Sequence, residues 1–339
     1  MPEIQSLTAL RGVAALWVVL FHYRNHFVWV PMAEIIRQGS VAVDIFFTLS
    51  GFILVYVYRD EFNVANFWLK RFARLYPVHL VTLIAVTILT AGAQTLGMSV
   101  DNSISAKEFI IHLFTLHSFA LMDGLALNYP SWSISAEFSA YLVFPFIVAF
   151  VLRQRLMIVG PILLLFFLAC VLVAKMTGNP MTERSYDFAP LRIMPEFLLG
   201  MLSARLCLQG QLKGFASALI AAALLIFGLA NENPLAIIIS APFLIAALFL
   251  YDHKVPAPLH YLGLISYSLY MVHALVEKVG FTLFEVLVGQ TVIPIWVLPI
   301  MIAAVISAAS MLYHFVEVPG RHFVMSVSQR MTQKFLKSS

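Results

Sequence analysis

LTALRGVAALWVVLFHYRNHFV, residues 7–28, is long and apolar enough to cross a bilayer, yet it carries Arg11 and His22 inside the run. Eleven residues make almost three whole turns of a 3.6-residue helix. The two side chains therefore leave the same face about 16 Å apart along the axis. Ionisable groups at membrane depth are costly, so they normally face a polar cavity, a partner or a substrate. Snorkelling to the interface is the competing account for Arg11; it is weaker for His22, which lies about three turns further along.

The rest of the chain agrees with a membrane reading. Of its 339 residues, 61% are hydrophobic and 11% charged, and the mean hydropathy is +0.90. A soluble globular domain carries roughly 25% charged residues. The formal net charge of +4 points to no nucleic-acid partner, because membrane proteins collect Lys and Arg in cytoplasmic loops for topological reasons. Cys170 and Cys207 both lie in apolar runs, so neither a disulfide framework nor a metal site is expected. The N-terminal run reads as a span rather than a cleavable signal.

Ten segments have the length and apolarity of spans: 7–28, 40–58, 76–96, 132–151, 157–174, 190–208, 214–230, 234–251, 262–286 and 293–315. An eleventh patch, 108–121, is too short to cross and carries two histidines, so it reads as a short re-entrant or interfacial helix. With both termini inside, the inner segments hold Arg59, Lys70, Arg71, Arg74, Arg153, Arg155, Arg205, Lys213, Lys254, Arg321, Arg330, Lys334 and Lys337. The outer ones hold only Arg24, Arg37, Lys107, Lys175 and Arg184. That bias follows the positive-inside rule, and it would mostly vanish if 108–121 spanned. The expectation is an all-α integral membrane protein with one transmembrane domain, a core over about 4–322 and a cytoplasmic tail over 323–339. A bacterial cytoplasmic membrane is the expected location.

Several polar residues fall at matched depth. Asp44 lies about one turn below the outer end of the second span, near the depth of His22, and a short connection makes those helices neighbours. A carboxylate beside an imidazole fixes its tautomer and supports its charged form; helix capping is the alternative role for Asp44. Glu137 follows Trp132 and Ser133 in NYPSWSISAEFSAY, and Arg192 opens the sixth span. Trp132 by itself reads as an interfacial anchor. Ser266, Tyr270 and His273 recur at i, i+4, i+7 beside Tyr267, a pattern that helix packing also uses. NFWLKRFARLYPVH, read as a cytoplasmic loop, carries Lys70, Arg71 and Arg74. Topology explains this cluster, and so does a phosphate site suited to the guanidinium fork.

The ordered set of Arg11-Gly with His22, VAVDIFFTLSGFIL, KRFARLYP, NYPSWSISAEFSAYLVFP, LRIMPEFLLGML, GLISYSLYMVH and FVEVPGR resembles the acyltransferase 3 family of integral membrane acyltransferases. The resemblance implies ten transmembrane helices. It also implies transfer of an acyl group, usually acetyl, from cytosolic acetyl-CoA to a carbohydrate or glycolipid hydroxyl at the outer face, with the lipid bilayer as the setting. It places the family's essential arginine and histidine on Arg11 and His22, its aspartate on Asp44 and its basic motif on Arg71 and Arg74, with Lys70 beside them. Its WSxxxE motif falls on Trp132, Ser133 and Glu137, with Ala136 where an acidic residue is frequent.

The expected catalytic residues are therefore His22, Asp44 and Glu137. Arg11, Lys70, Arg71 and Arg74 are expected to hold the acetyl-CoA phosphates, and Trp132, Ser133, Arg192, Tyr267 and His273 to contact the acceptor. No metal is expected. A transporter or flippase of a glycolipid or small acid would use the same buried charges as a proton relay; the lack of an inverted repeat weighs against it.

Overall fold

A computed structural model describes residues 3–60, 62–97, 105–289 and 293–338, and within them every regular element is helical. In chain order the helices are α1 (Gln5–Tyr23), α2 (Ala33–Arg37), α3 (Ala42–Tyr58), α4 (Val64–Thr95), α5 (Ala106–Leu113), α6 (Trp132–Arg153), α7 (Leu156–Met176), α8 (Pro190–Leu208), α9 (Gly214–Ala230), α10 (Pro234–Leu250), α11 (Ala257–Leu264), α12 (Ser266–Val288), α13 (Val297–Leu312) and α14 (Val318–Ser338). Parts of the outer connection (98–104) and the last residue of the tail, Ser339, lie outside the described residues.

Each of the ten expected segments is helical, but among the described residues six helical runs are long and apolar enough to cross a membrane. These are Gln5–His26, Ala33–Tyr58, Val64–Thr95, Tyr129–Arg153, Leu156–Met176 and Val297–Met331. Apolar α9 and α10 have 17 residues each, short of the roughly 20 that a span requires. α8 contains Arg192, Glu196 and Arg205, and α12 contains Glu277, Lys278 and Glu285.

Two expectations about connecting segments change. The basic cluster is not a loop: α4 starts at Val64, where the Asn63 side chain accepts a hydrogen bond from Asn66 N at 2.8 Å. This satisfies one of the orphan donors of the first turn, and the helix runs through Lys70, Arg71, Arg74 and Pro77 without stopping. The short helix expected over 108–121 is α5, which is shorter. Ser105 and Glu108 close a capping box at its start. Thr115 then adopts φ 54°, a left-handed conformation that ends a helix, and Ala120 and Leu127 do the same.

α1 lies between two apolar clusters. Leu7, Ala14 and Val18 pack into a core shared with α3, α4, α6, α8 and α12, while Ala15, Val19 and Tyr23 join a second core with α12 and α13. The closest crossing is α3 against α8. A Cβ on Gly51 would stand 2.0 Å from Phe197 O, and one on Gly200 would stand 1.9 Å from Thr48 O. Small residues let backbones approach in this way where lipid offers no hydrophobic drive between helices. Gly200→Ala is expected to cost at least about 1–3 kcal/mol through overpacking. The readout is a lower thermal unfolding midpoint in detergent, and an unchanged midpoint contradicts the contact.

Candidate active site

α1, α3, α4, α6 and α12 enclose a cavity of about 100 Å³, room for several waters, since one needs about 10–15 Å³ by this measure. Helical spacing aims its polar lining inward. Arg71 and Arg74 stand at i, i+3 on α4, Ser133, Glu137 and Tyr141 at i, i+4, i+8 on α6, and Ser266 and Tyr270 at i, i+4 on α12. Arg11 from α1, Ser50 from α3 and Tyr267 from α12 complete it. Four expected donor or catalytic residues, Arg11, Arg71, Arg74 and Glu137, thus meet in one space, together with the expected acceptor residues Ser133 and Tyr267. Lys70 is exposed and does not line it.

Charge in this cavity is unbalanced. Glu137 accepts a hydrogen bond from Ser50 Oγ at 3.0 Å and another, short one from Tyr141 Oη. Among the described residues Arg11 and Arg74 form no salt bridge. Arg71 reaches Tyr58 Oη only at 3.4 Å, sits among the rings of Tyr58, Phe67 and Tyr141, and keeps its buried Nε without a partner. Three guanidiniums thus gather beside Glu137, with the Glu317 carboxylate near enough to act on Arg11 and Arg74, and this excess of positive charge suits an anionic ligand. The hydroxyls of Ser133 and Tyr270 both donate to Pro130 O, at 3.1 and 3.0 Å, and Tyr267 donates to Leu75 O at 2.5 Å. Ser266 Oγ is buried and has no partner.

His22 lies outside this cavity. Its ring centre is 4.9 Å from that of Tyr129 and 5.1 Å from that of His273, so His273 sits with His22 and not in this cavity. The carboxylate of this second cluster is Glu277. It accepts a hydrogen bond from Tyr129 Oη at 2.7 Å, and His26 Nε2 lies 3.0 Å from its other oxygen. Tyr270 borders both compartments: it lines the cavity, and its ring lies 5.7 Å from that of His273 and 6.3 Å from that of Phe46.

Asp44 does not meet His22. Fully buried, it takes both Nε and Nη2 of Arg192 at 2.7 Å each, a bidentate pair. Arg192 also donates to Ser40 O at 3.3 Å and lies 5.0 Å over the ring of Trp132. Arg192 and Trp132, expected at an outer mouth, are instead buried at 5% and 8% exposure beside Asp44. Their job here is to hold α3, α6 and α8 together. Glu196, one turn after Arg192, is buried beside the Asp44 carboxyl.

A third polar group lies where α4 meets the connection from α5 to α6. The rings of His79, His112 and His117 are nearly coplanar in orientation, with centres 4.1 Å apart for His112 and His117 and 5.8 Å for His79 and His117. His79 Nε2 donates to His112 O at 2.8 Å, and His117 Nε2 lies 3.0 Å from Ser131 Oγ. Burial pushes the imidazoles of His112 and His117 below the usual histidine range. Among the described residues no group of three His, Cys, Asp or Glu is arranged to hold a metal ion.

Glu277, Tyr129, Ser50 and Tyr141 were not among the residues that spacing singled out. Glu277 had a signal of its own, being a carboxylate within an apolar segment, one helical turn after His273.

Comparison with known proteins bears on what these two compartments do. A family model described as an acyltransferase domain matches residues 4–314. The acyltransferase MdmB of Streptomyces mycarofaciens is 32% identical over 321 residues, covering 82% of this chain and 80% of that protein. The peptidoglycan O-acetyltransferase OatA of Listeria monocytogenes is 26% identical over 154 residues, which is 42% of this chain and 24% of the longer relative. A putative O-acetyltransferase of Staphylococcus aureus is 28% identical over 163 residues, 43% of this chain and 25% of its own. No solved structure matches. With a family match over residues 4–314 and a relative 32% identical across 80% of its own length, the chain belongs to the acyltransferase 3 family.

Proposed function

We propose that the protein is a membrane O-acyltransferase that moves an acyl group, acetyl foremost, from cytosolic acyl-CoA to a hydroxyl of a carbohydrate or glycolipid at the outer face. The observation that carries this reading is the cavity that gathers Arg11, Arg71 and Arg74 beside Glu137, with none of the three in a salt bridge among the described residues. Phosphates of the donor sit against those guanidiniums. A cavity of about 100 Å³ is below the roughly 300–1,000 Å³ of a site that swallows a drug-sized ligand, so it takes the thioester end while the nucleotide stays at the basic mouth. The Arg11 end of the bundle then faces the cytoplasm and both termini are cytoplasmic, in keeping with the distribution of Lys and Arg.

From there the thioester has to pass Tyr270 and Phe46 to meet His22. Neutral His22 takes the proton of the acceptor hydroxyl as its oxygen attacks the thioester carbon. The new C–O bond forms, the C–S bond breaks, and the proton passes from His22 to the leaving thiolate.

Two measurements test the reading. Mass spectrometry of surface glycans and glycolipids from cells with and without the protein should show an acyl mass, 42 for acetyl, as an approximate increment (~42 Da per ester) lost with the gene product. In membranes, Arg71→Ala with Arg74→Ala should raise the apparent KM for acetyl-CoA at least about tenfold, since a hydrogen bond to a charged group contributes about 1.5–3 kcal/mol. Unchanged donor dependence would return this cluster to a topological role.

A further inference from the structure

Glu277, Tyr129 and His273 form a hydrogen-bonded group against His22, and its proton count does not close. His273 Nδ1 lies 2.6 Å from Tyr270 O. A carbonyl only accepts, so Nδ1 carries the hydrogen, and in a neutral ring Nε2 is then bare. Tyr129 Oη lies 3.3 Å from that Nε2 and 2.7 Å from Glu277 Oε2. With one hydroxyl hydrogen, Tyr129 satisfies the carboxylate and leaves Nε2 facing an oxygen lone pair. One added proton, on His273 Nε2, would satisfy every member. The group thus carries the negative charge of Glu277, and His22, whose ring centre is 4.9 Å from that of Tyr129 and 5.1 Å from that of His273, is the imidazole that the proposed reaction charges.

We infer that Glu277 is the positioning carboxylate of this acyltransferase, acting on His22 through Tyr129 and His273. The inference rests on the reading of His22 as the base. When His22 takes the acceptor proton, the Glu277 carboxylate offsets the imidazolium in a low-dielectric setting, and Tyr129 and His273 fix the plane of its ring. This is the role first sought in Asp44 and Glu137, both of which are committed elsewhere: Asp44 to Arg192, and Glu137 to Ser50 and Tyr141. The groups that face Glu277 are His26, which is 3.0 Å away and stacks on Phe281, together with Tyr129, His273 and His22.

The test uses the full-length protein in membranes that contain the endogenous acceptor, with labelled acetyl-CoA as donor. Glu277→Gln is expected to lower kcat about 10–100-fold with the donor KM within about twofold of the parent, and Glu277→Asp to recover most of the loss. A merely structural carboxylate would lower the amount of folded protein and leave turnover per folded molecule intact, which overturns the inference, as does an unchanged kcat. If Glu277→Gln does not accumulate in the membrane, Tyr129→Phe decides. It removes the one hydrogen that joins Glu277 to the cluster, so a comparable fall in kcat supports the relay and parental turnover overturns it. His22→Ala in the same assay separates the two levels. An inactive His22→Ala beside a fully active Glu277→Gln sinks only the role of Glu277, whereas a fully active His22→Ala sinks the reading of His22 as base.

Discussion

His22→Ala is expected to lower acyl transfer from acetyl-CoA by about 10²–10⁴-fold, the range that a positioned general base contributes, while the donor KM moves by less than about threefold. The split between the two constants follows from geometry. His22 does not line the cavity that holds Arg11, Arg71 and Arg74, so its loss leaves in place the guanidiniums proposed to bind the donor phosphates. Its ring is half-buried and makes no hydrogen bond to a described residue, which leaves its nitrogens to an incoming hydroxyl. Nor does the helix depend on it for packing, because the buried face of α1 is made by Leu7, Ala14, Ala15, Val18, Val19 and Tyr23. Labelled transfer at equal protein in membranes is the measurement. A rate within twofold of the parent would remove His22 from the chemistry, and a large rise in donor KM would place it in the binding step instead.

Much of this site could be read along helix axes, and little of it around them. The 11-residue spacing of Arg11 and His22 placed them on one face at opposite ends of a path, and the structure sets Arg11 in the cavity and His22 in the cluster beyond Tyr270. Depth also matched Asp44 to His22. Depth does not fix azimuth, however, and Asp44 turns toward α8. The signal for that was present in the same helix: Asp44 and Gly51 are seven residues apart, two turns on one face, and Gly51 is where α8 comes close enough to exclude a Cβ. A helix that must present glycine to one neighbour presents its other polar residue on that face to the same neighbour.

Ser50, one position earlier, points to the cavity instead and finds Glu137. The α4 basic cluster was misplaced for a related reason, since Pro77 reads as a helix boundary yet is carried inside a long helix. Four expected spans fall short of the length or apolarity of a membrane helix because charges or short length break their apolar runs. In α8 those charges, Arg192 and Glu196, are buried against other helices.

Arg192→Met is expected to destabilise the protein by about 3–5 kcal/mol, the cost of removing one partner from a buried ion pair, and Asp44→Asn by distinctly less. Both variants break the same bidentate contact, so pair energy alone predicts equal losses. The difference lies in what is left behind. Without Arg192, Asp44 and Glu196 are two buried carboxyls with no cation; Asp44 is fully buried and Glu196 is 1% exposed. Without the Asp44 charge, Arg192 still has the Glu196 carboxyl one turn along its own helix, buried beside the same pair. A group at i+4 is within reach of an arginine fork, and Ser40 O and Arg184 O already accept from the same guanidinium. The double variant Asp44→Asn with Glu196→Gln removes that substitute and should therefore fall to the level of Arg192→Met. Thermal unfolding of the detergent-solubilised protein ranks the three. If Asp44→Asn alone were as unstable as Arg192→Met, Glu196 would not be the reserve carboxylate, and its burial beside the pair would serve neither charge.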